Sequence, residues 1–134
     1  MKGILNTDGG SRGNPGPGAI GIVLKNSENE SIKELAKYIG DCTNNEAEYM
    51  ALIEGIMQAI NSNYDELDCF LDSELVVKQL NGQYKVKNER IKTFWQKVKG
   101  MENKFKRITF THIPREKNSR ADALVNEALD NEVI

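Results

Sequence analysis

Histidine and cysteine are nearly missing from this chain, which has one His at 112 and two Cys at 42 and 69. Two cysteines at that separation lack the number and spacing of a disulfide framework or a thiolate zinc site. No His/Cys cluster is present to select a softer transition metal. Long apolar runs are absent too, which leaves neither a membrane-crossing helix nor the hydrophobic segment of a secretion signal. The chain also lacks repeats, low-complexity tracts and anything composed like a linker. Its 134 residues are therefore expected to form one domain, residues 1–134, burying roughly two-thirds of its unfolded surface. A cytoplasmic monomer without membrane contact or an obligate protein partner is the expected setting.

Net positive charge is the remaining shortage. A formal charge of −2 argues by itself against a polyanion-binding protein. The charge is nevertheless segregated, with twelve acidic and two basic side chains in residues 28–74. Residues 78–107 hold ten basic side chains, Lys85 and Lys87 among them, against only Glu89 and Glu102. That second stretch is either a solvated basic face or a surface for phosphates.

Periodicity predicts strands near 2–8, 18–25, 31–39, 66–71 and 106–112. Helices are predicted at about 44–62, 73–80, 89–102 and 117–130. Three consecutive strands followed by alternating helices and strands imply an α/β fold with a mixed sheet covered by helices. Phe94 and Trp95, spaced helically with Ile91 and Val98, read as core packing more readily than as base-stacking groups.

Four acids stand where a carboxylate adds little to folding. Asp8 ends the first predicted strand before Gly9-Gly10 and the run Gly13-Asn14-Pro15-Gly16-Pro17-Gly18, and Asp72 ends the fourth. Ligands gather beyond the carboxyl ends of strands in such sheets, although a turn or cap aspartate is the alternative for either residue. Thr43-Asn44-Asn45-Glu46 has the capping-box pattern and starts a helix at about residue 44. Steps of three and four from Glu48 then reach Ala51, Leu52, Gly55 and Ala59, so Glu48 points inward unless helix rotation leaves it at the solvent edge. A carboxylate there needs a partner, and a hard divalent cation shared with Asp8 and Asp72 would provide one. Asp122 lies early in the last predicted helix, where it is either a dipole-favoured charge or a fourth ligand.

Taken together, Thr7-Asp8-Gly9-Gly10 with its Gly/Pro run, Thr43 to Glu48, Leu71-Asp72-Ser73 and His112 to Asp122 resemble, in order, four motifs of the type 1 ribonuclease H family. The resemblance spans Lys2 to about Ala128. It implies a ribonuclease H-like five-stranded mixed sheet, three antiparallel strands then parallel additions, with the first strand central and the fourth beside it. It also implies an endonuclease cutting the RNA strand of RNA/DNA hybrids to 5′-phosphate and 3′-hydroxyl products. Asp8, Glu48, Asp72 and Asp122 would hold two Mg²⁺ ions, with Mn²⁺ able to substitute, and His112 would assist proton movement or product release. Asn14, Asn44 and Asn45 match positions that contact the minor groove and ribose hydroxyls. Thr43 and Asn88 match a pocket for a DNA-strand phosphate. Two departures bear on substrate grip. The chain is too short between Asp72 and Trp95 for a long basic protrusion, leaving Lys85, Lys87 and the run to Lys99 as partial replacement. Asp41 also stands where some relatives place an arginine. A non-catalytic hybrid- or RNA-binding module, and a nuclease relaxed to accept double-stranded RNA, are the alternatives.

Overall fold

The computed structural model describes residues 1–132; the expected domain, 1–134, includes two residues outside that set. In chain order the elements are β1 (Lys2–Ser11), β2 (Gly16–Asn26), β3 (Ser31–Cys42), α1 (Asn44–Asn61), β4 (Glu66–Leu71), α2 (Glu74–Leu80), α3 (Glu89–Met101), β5 (Arg107–His112) and α4 (Ser119–Glu132). The five strands form one mixed sheet in the order β3-β2-β1-β4-β5. β1, β2 and β3 pair antiparallel, while β4 and β5 add in parallel.

Alternation along β2 explains how both faces become covered. Ile20, Ile22 and Leu24 join Leu5, Leu52, Ile56 and Leu67 in the core under α1, α2 and α3. Ala19 and Val23 face the other way, against Ala121, Leu124, Val125, Ala128 and Leu129 of α4. This is the period-two pattern of a strand buried on both sides. Gly21 lets α4 approach closely, since an added Cβ would sit 2.2 Å from the Ala121 carbonyl oxygen.

α1 starts where the capping box places it. Thr43 Oγ1 accepts from the Glu46 amide at 3.2 Å, and Glu46 Oε1 accepts from the Thr43 amide at 2.8 Å. Ala51, Leu52, Gly55 and Ala59 are all buried. Phe94 and Trp95 pack against the main core, and the Trp95 indole donates to the Gln79 carbonyl at 3.1 Å. Cys42 and Cys69 are buried and unbridged.

The N-terminal strands run longer than the sequence pattern predicts. β1 continues past Asp8 to Ser11, paired as Ser11↔Gly18, so Asp8 lies inside a strand rather than at the mouth of a loop. Gly9 is a packing notch and not a turn signal, because an added Cβ would lie 2.2 Å from the Ala47 carbonyl oxygen. α4 begins two residues after the predicted start, preceded by a 3-10 turn at Arg115–Lys117. No helix among the described residues is long and apolar enough to cross a membrane.

Candidate functional site

On its β4 side, β1 stops pairing at Thr7↔Leu71. Asp8 and Asp72 are the next residues on these parallel neighbours, so both carboxylates emerge together beyond the end of the ladder. α1 lies against β1 at the Gly9 notch, where an added Cβ would be 2.6 Å from the Glu48 amide nitrogen. That contact brings Glu48 down onto the pair. Oxygens of Asp8, Glu48 and Asp72 all fall within 4.8 Å of one another. Asp122, in the first turn of α4, lies outside that trio but lines the same cavity of about 460 Å³. Its carboxylate is within hydrogen-bonding reach of Asp8 and accepts from Arg115 Nη2 at 3.2 Å.

The electrostatics of this group are those of uncompensated charge. Burial pushes the Asp8 carboxyl up to about 7, with the charges of Asp72 and Asp122 adding to the shift and a hydrogen bond from Glu48 opposing it. Glu48 is raised well above the ordinary range by burial first and then by Asp8 and Asp72, against a weak opposing bond from the Gly9 amide. That amide donates to Glu48 Oε1 at 3.3 Å, while Oε2 is buried with no donor facing it among the described residues. A proton shared with Asp8, or a cation, would satisfy that oxygen. An all-oxygen donor set with a buried orphan atom fits a hard divalent cation.

The remaining residues named from sequence divide into two groups around this cavity. Asn44 and Asn45 line it, and Asn14 adjoins them through Oδ1, which accepts from the Asn44 amide at 3.0 Å. Asn44 Oδ1 accepts from the Ser11 amide at 2.9 Å. Both carboxamides are thus anchored through oxygen, which leaves their N–H groups for a ligand. Thr43 and Asn88 lie outside the cavity lining and serve as N-caps of α1 and α3. Thr43 performs the N-cap duty, and its hydroxyl, which accepts from the Glu46 amide, still has a proton to donate. Asn88 Oδ1 accepts from the amides of Arg90 and Ile91, again leaving its N–H groups free. Lys85 and Lys87 are exposed on the connection between α2 and α3. His112 is the exposed last residue of β5, in register with Leu71, and is not among the residues lining the cavity.

Sequence reasoning passed over Ser11, Arg12, Arg115 and Asn126, which line the cavity. It also passed over Arg90, which pairs with Glu46 of the capping box. Arg115 lies seven residues before Asp122, inside a stretch already singled out, so its charge was a usable signal. Arg12 was masked by the Gly/Pro run that follows it. Nothing along the chain placed Arg90 beside Thr43, because that proximity is made by the packing of α3 on α1.

Comparisons with known proteins agree with this geometry. A family model described as "Reverse transcriptase-like" matches residues 6–128. The chain is 41% identical over 124 residues to the curated Ribonuclease HI of Halobacterium salinarum, covering 92% of this chain and 62% of that protein. It is 38% identical over 131 residues to the Bifunctional protein Rv2228c of Mycobacterium tuberculosis, covering 97% of this chain but 36% of the relative. The chain therefore spans about a third of that mycobacterial protein. Among solved structures, RNase H1 from Halobacterium salinarum superposes with a TM-score of 0.95 at 39% identity, covering 98% of this chain and 99% of the other. LC11-RNase H1, solved in complex with an RNA/DNA hybrid, superposes at 0.93 with 42% identity, covering 98% and 99%.

Proposed function

The chain belongs to the ribonuclease H family, and on that premise we propose that it is an endonuclease hydrolysing the RNA strand of RNA/DNA hybrids, with 5′-phosphate and 3′-hydroxyl products. The observation that carries this reading is the convergence of Asp8, Glu48 and Asp72 within 4.8 Å in a cavity that Asp122 also lines. A binding module gains nothing from buried carboxylates that raise one another's pKa. The hybrid held by LC11-RNase H1 supports the choice of substrate.

Asp8, Glu48, Asp72 and Asp122 would hold two Mg²⁺ ions. Asp8, in reach of Glu48 and of Asp122, would be the central carboxylate of that set. Divalent ions bound there supply an acidified attacking water, neutralise charge growing on phosphorus and stabilise the leaving 3′ oxygen. Arg115, paired to Asp122 at 3.2 Å, balances part of the negative charge at the cavity mouth and is placed to meet a phosphate. The N–H groups of Asn14, Asn44 and Asn45 donate to ribose hydroxyls, which distinguish RNA from DNA at a site. On the other side of α1, the Thr43 hydroxyl and the Asn88 amide take a phosphate of the DNA strand. Arg90, held nearby by Glu46, supplies the cation that Asp41 does not. His112 borders the scissile region from the end of β5 and passes protons or eases product departure.

Labelled RNA/DNA hybrid, double-stranded RNA, double-stranded DNA and single-stranded RNA, each with Mg²⁺ and with chelator, test the proposal. Cutting of the hybrid that stops with chelator is the expected result. Cleavage indifferent to chelator would sink the metal-dependent mechanism. Equal cutting of double-stranded RNA would mean relaxed discrimination, and tight hybrid binding without cleavage would mean a binding module.

A further inference from the structure

We infer that Asn118 is a positioning residue, locking the start of α4 onto β1 in the register that sets Asp122 opposite Asp8. The inference rests on the proposed function for its catalytic consequence, and on geometry for its substance. Asn118 is 2% exposed, an unusual burial for a carboxamide. Its Nδ2 donates to the Thr7 carbonyl at 2.8 Å, and its Oδ1 accepts from Asn6 Nδ2 at 3.2 Å. Its main-chain N–H donates to the Arg115 carbonyl at 2.9 Å, and its carbonyl accepts from the Asp122 amide at 3.1 Å.

Asn118 occupies the position immediately before α4, where an Asn side chain ordinarily caps its own helix for about 1 kcal/mol. Here the carboxamide reaches across to β1 instead. The arithmetic of the two elements then does the positioning. Asn118 and Asp122 are four residues apart on one helical face, a rise of about 6 Å. Asn6 and Asp8 are two residues apart on one strand face, a rise of about 6.6 Å. Because the two spacings nearly match, joining Asn118 to Asn6 and Thr7 brings the second member of each pair together. Apolar contacts of Ala121, Leu124 and Val125 and the Gly21 notch set how close α4 sits. Directional bonds at Asn118 set its rotation and axial register, which apolar contacts leave soft.

Asn118→Ala and Asn6→Ala test this beside Asn81→Ala, which removes a comparable anchor, Asn81 Nδ2 donating to the Phe110 carbonyl at 3.1 Å. Each variant is followed by urea unfolding, by calorimetric Mn²⁺ titration, and by kcat and KM on hybrid. Groups that orient metal ligands typically cost 10- to 100-fold in affinity or activity, so Asn118→Ala should weaken Mn²⁺ binding about tenfold or more. It should lower kcat with KM unchanged and recover partly at high Mn²⁺. Asn6→Ala, which keeps the Thr7 bond, should shift both in the same direction by a smaller factor. Asn81→Ala should bind Mn²⁺ like wild type despite losing stability. If Asn118→Ala binds Mn²⁺ as wild type does, the inference is overturned. If Asn118→Ala does not fold, Asn6→Ala decides, and unaltered metal binding there overturns it. Wild type that binds Mn²⁺ but leaves hybrid intact would remove the nuclease reading, while the calorimetric comparison would still judge Asn118.

Discussion

The acidic cavity and the basic stretch from α2 to β5 carry opposite charge and treat it in opposite ways. In the cavity, Asp8 and Glu48 are less than 10% exposed, and no donor among the described residues faces Glu48 Oε2. Across the molecule, Lys78 lies 5.1 Å from the Tyr84 ring centroid, Arg90 5.5 Å from Phe94 and Lys99 5.9 Å from Trp95. There the charged heads lie over aromatic rings and each is paired with a carboxylate, Lys78 with Glu74, Arg90 with Glu46 and Lys99 with Glu102, so their charge is compensated. Buried charge of one sign opposes folding until something neutralises it, whereas a cation paired near the surface carries no such expense. On the proposed function, the chemistry belongs to the first region and substrate affinity to the second.

The sharpest way to break that contrast is Asp8→Asn. Turnover should fall on the order of 10³-fold or more, the rate equivalent of losing several kcal/mol of transition-state stabilisation. The metal-free variant should melt higher than wild type, since one repelling charge is gone. A variant that loses activity and stability together would show the carboxylate to be structural.

A pH series examines the same region without mutation. Asp8 titrates near 7 in the folded chain against an ordinary 3.8, so ionising it opposes folding. Its contribution is fully present below the ordinary pKa and is lost as pH rises through 7, a matter of a few kcal/mol. Glu48 is displaced in the same direction. Metal-free stability measured by urea unfolding should therefore fall from pH 5 to pH 8, and added Mg²⁺ should stabilise more at pH 8 than at pH 5. A flat profile would contradict the unbalanced-charge account.

Gly9→Ala tests how the region is assembled. With its new Cβ driven toward the Ala47 carbonyl at 2.2 Å, the variant should lose about 1–3 kcal/mol and activity with it, because α1 carries Glu48. His112→Ala should slow turnover about tenfold, within what an auxiliary proton-transfer group contributes. Loss as deep as that of Asp8→Asn would make His112 indispensable instead. Lys85→Ala and Lys87→Ala should have the smallest effect, raising KM about two- to threefold each with kcat unchanged and reducing its salt dependence. A change in kcat there would erase the distinction between the two regions.

Much of this was legible along the chain. The capping box from Thr43 to Glu46, the inward face from Glu48 to Ala59 and the helical spacing of Ile91, Phe94, Trp95 and Val98 are local patterns, and the structure keeps each. The bounds of β4 were legible, but the far ends of β1 and β3 were not. Gly9 and Gly10 read as punctuation because glycine favours turns, yet β1 runs through them to Ser11, and Gly9 admits the α1 backbone. Arg90 beside Glu46 and Asn118 beside Asn6 were likewise invisible, since each contact joins elements remote in sequence.

By itself, then, the sequence determined which residues cap, which face inward and which acids have no local reason to be where they are. Those properties depend on neighbours within a turn or two, and sequence spacing encodes them directly. Only the tertiary structure decided that Asp8, Glu48 and Asp72 share one pocket, with Asp122 held at its edge. Distances between remote acids are set by sheet register and by how closely helices approach their strands. Those quantities come from backbone sterics at Gly9 and Gly21 and from directional bonds such as those of Asn118, summed over the whole fold.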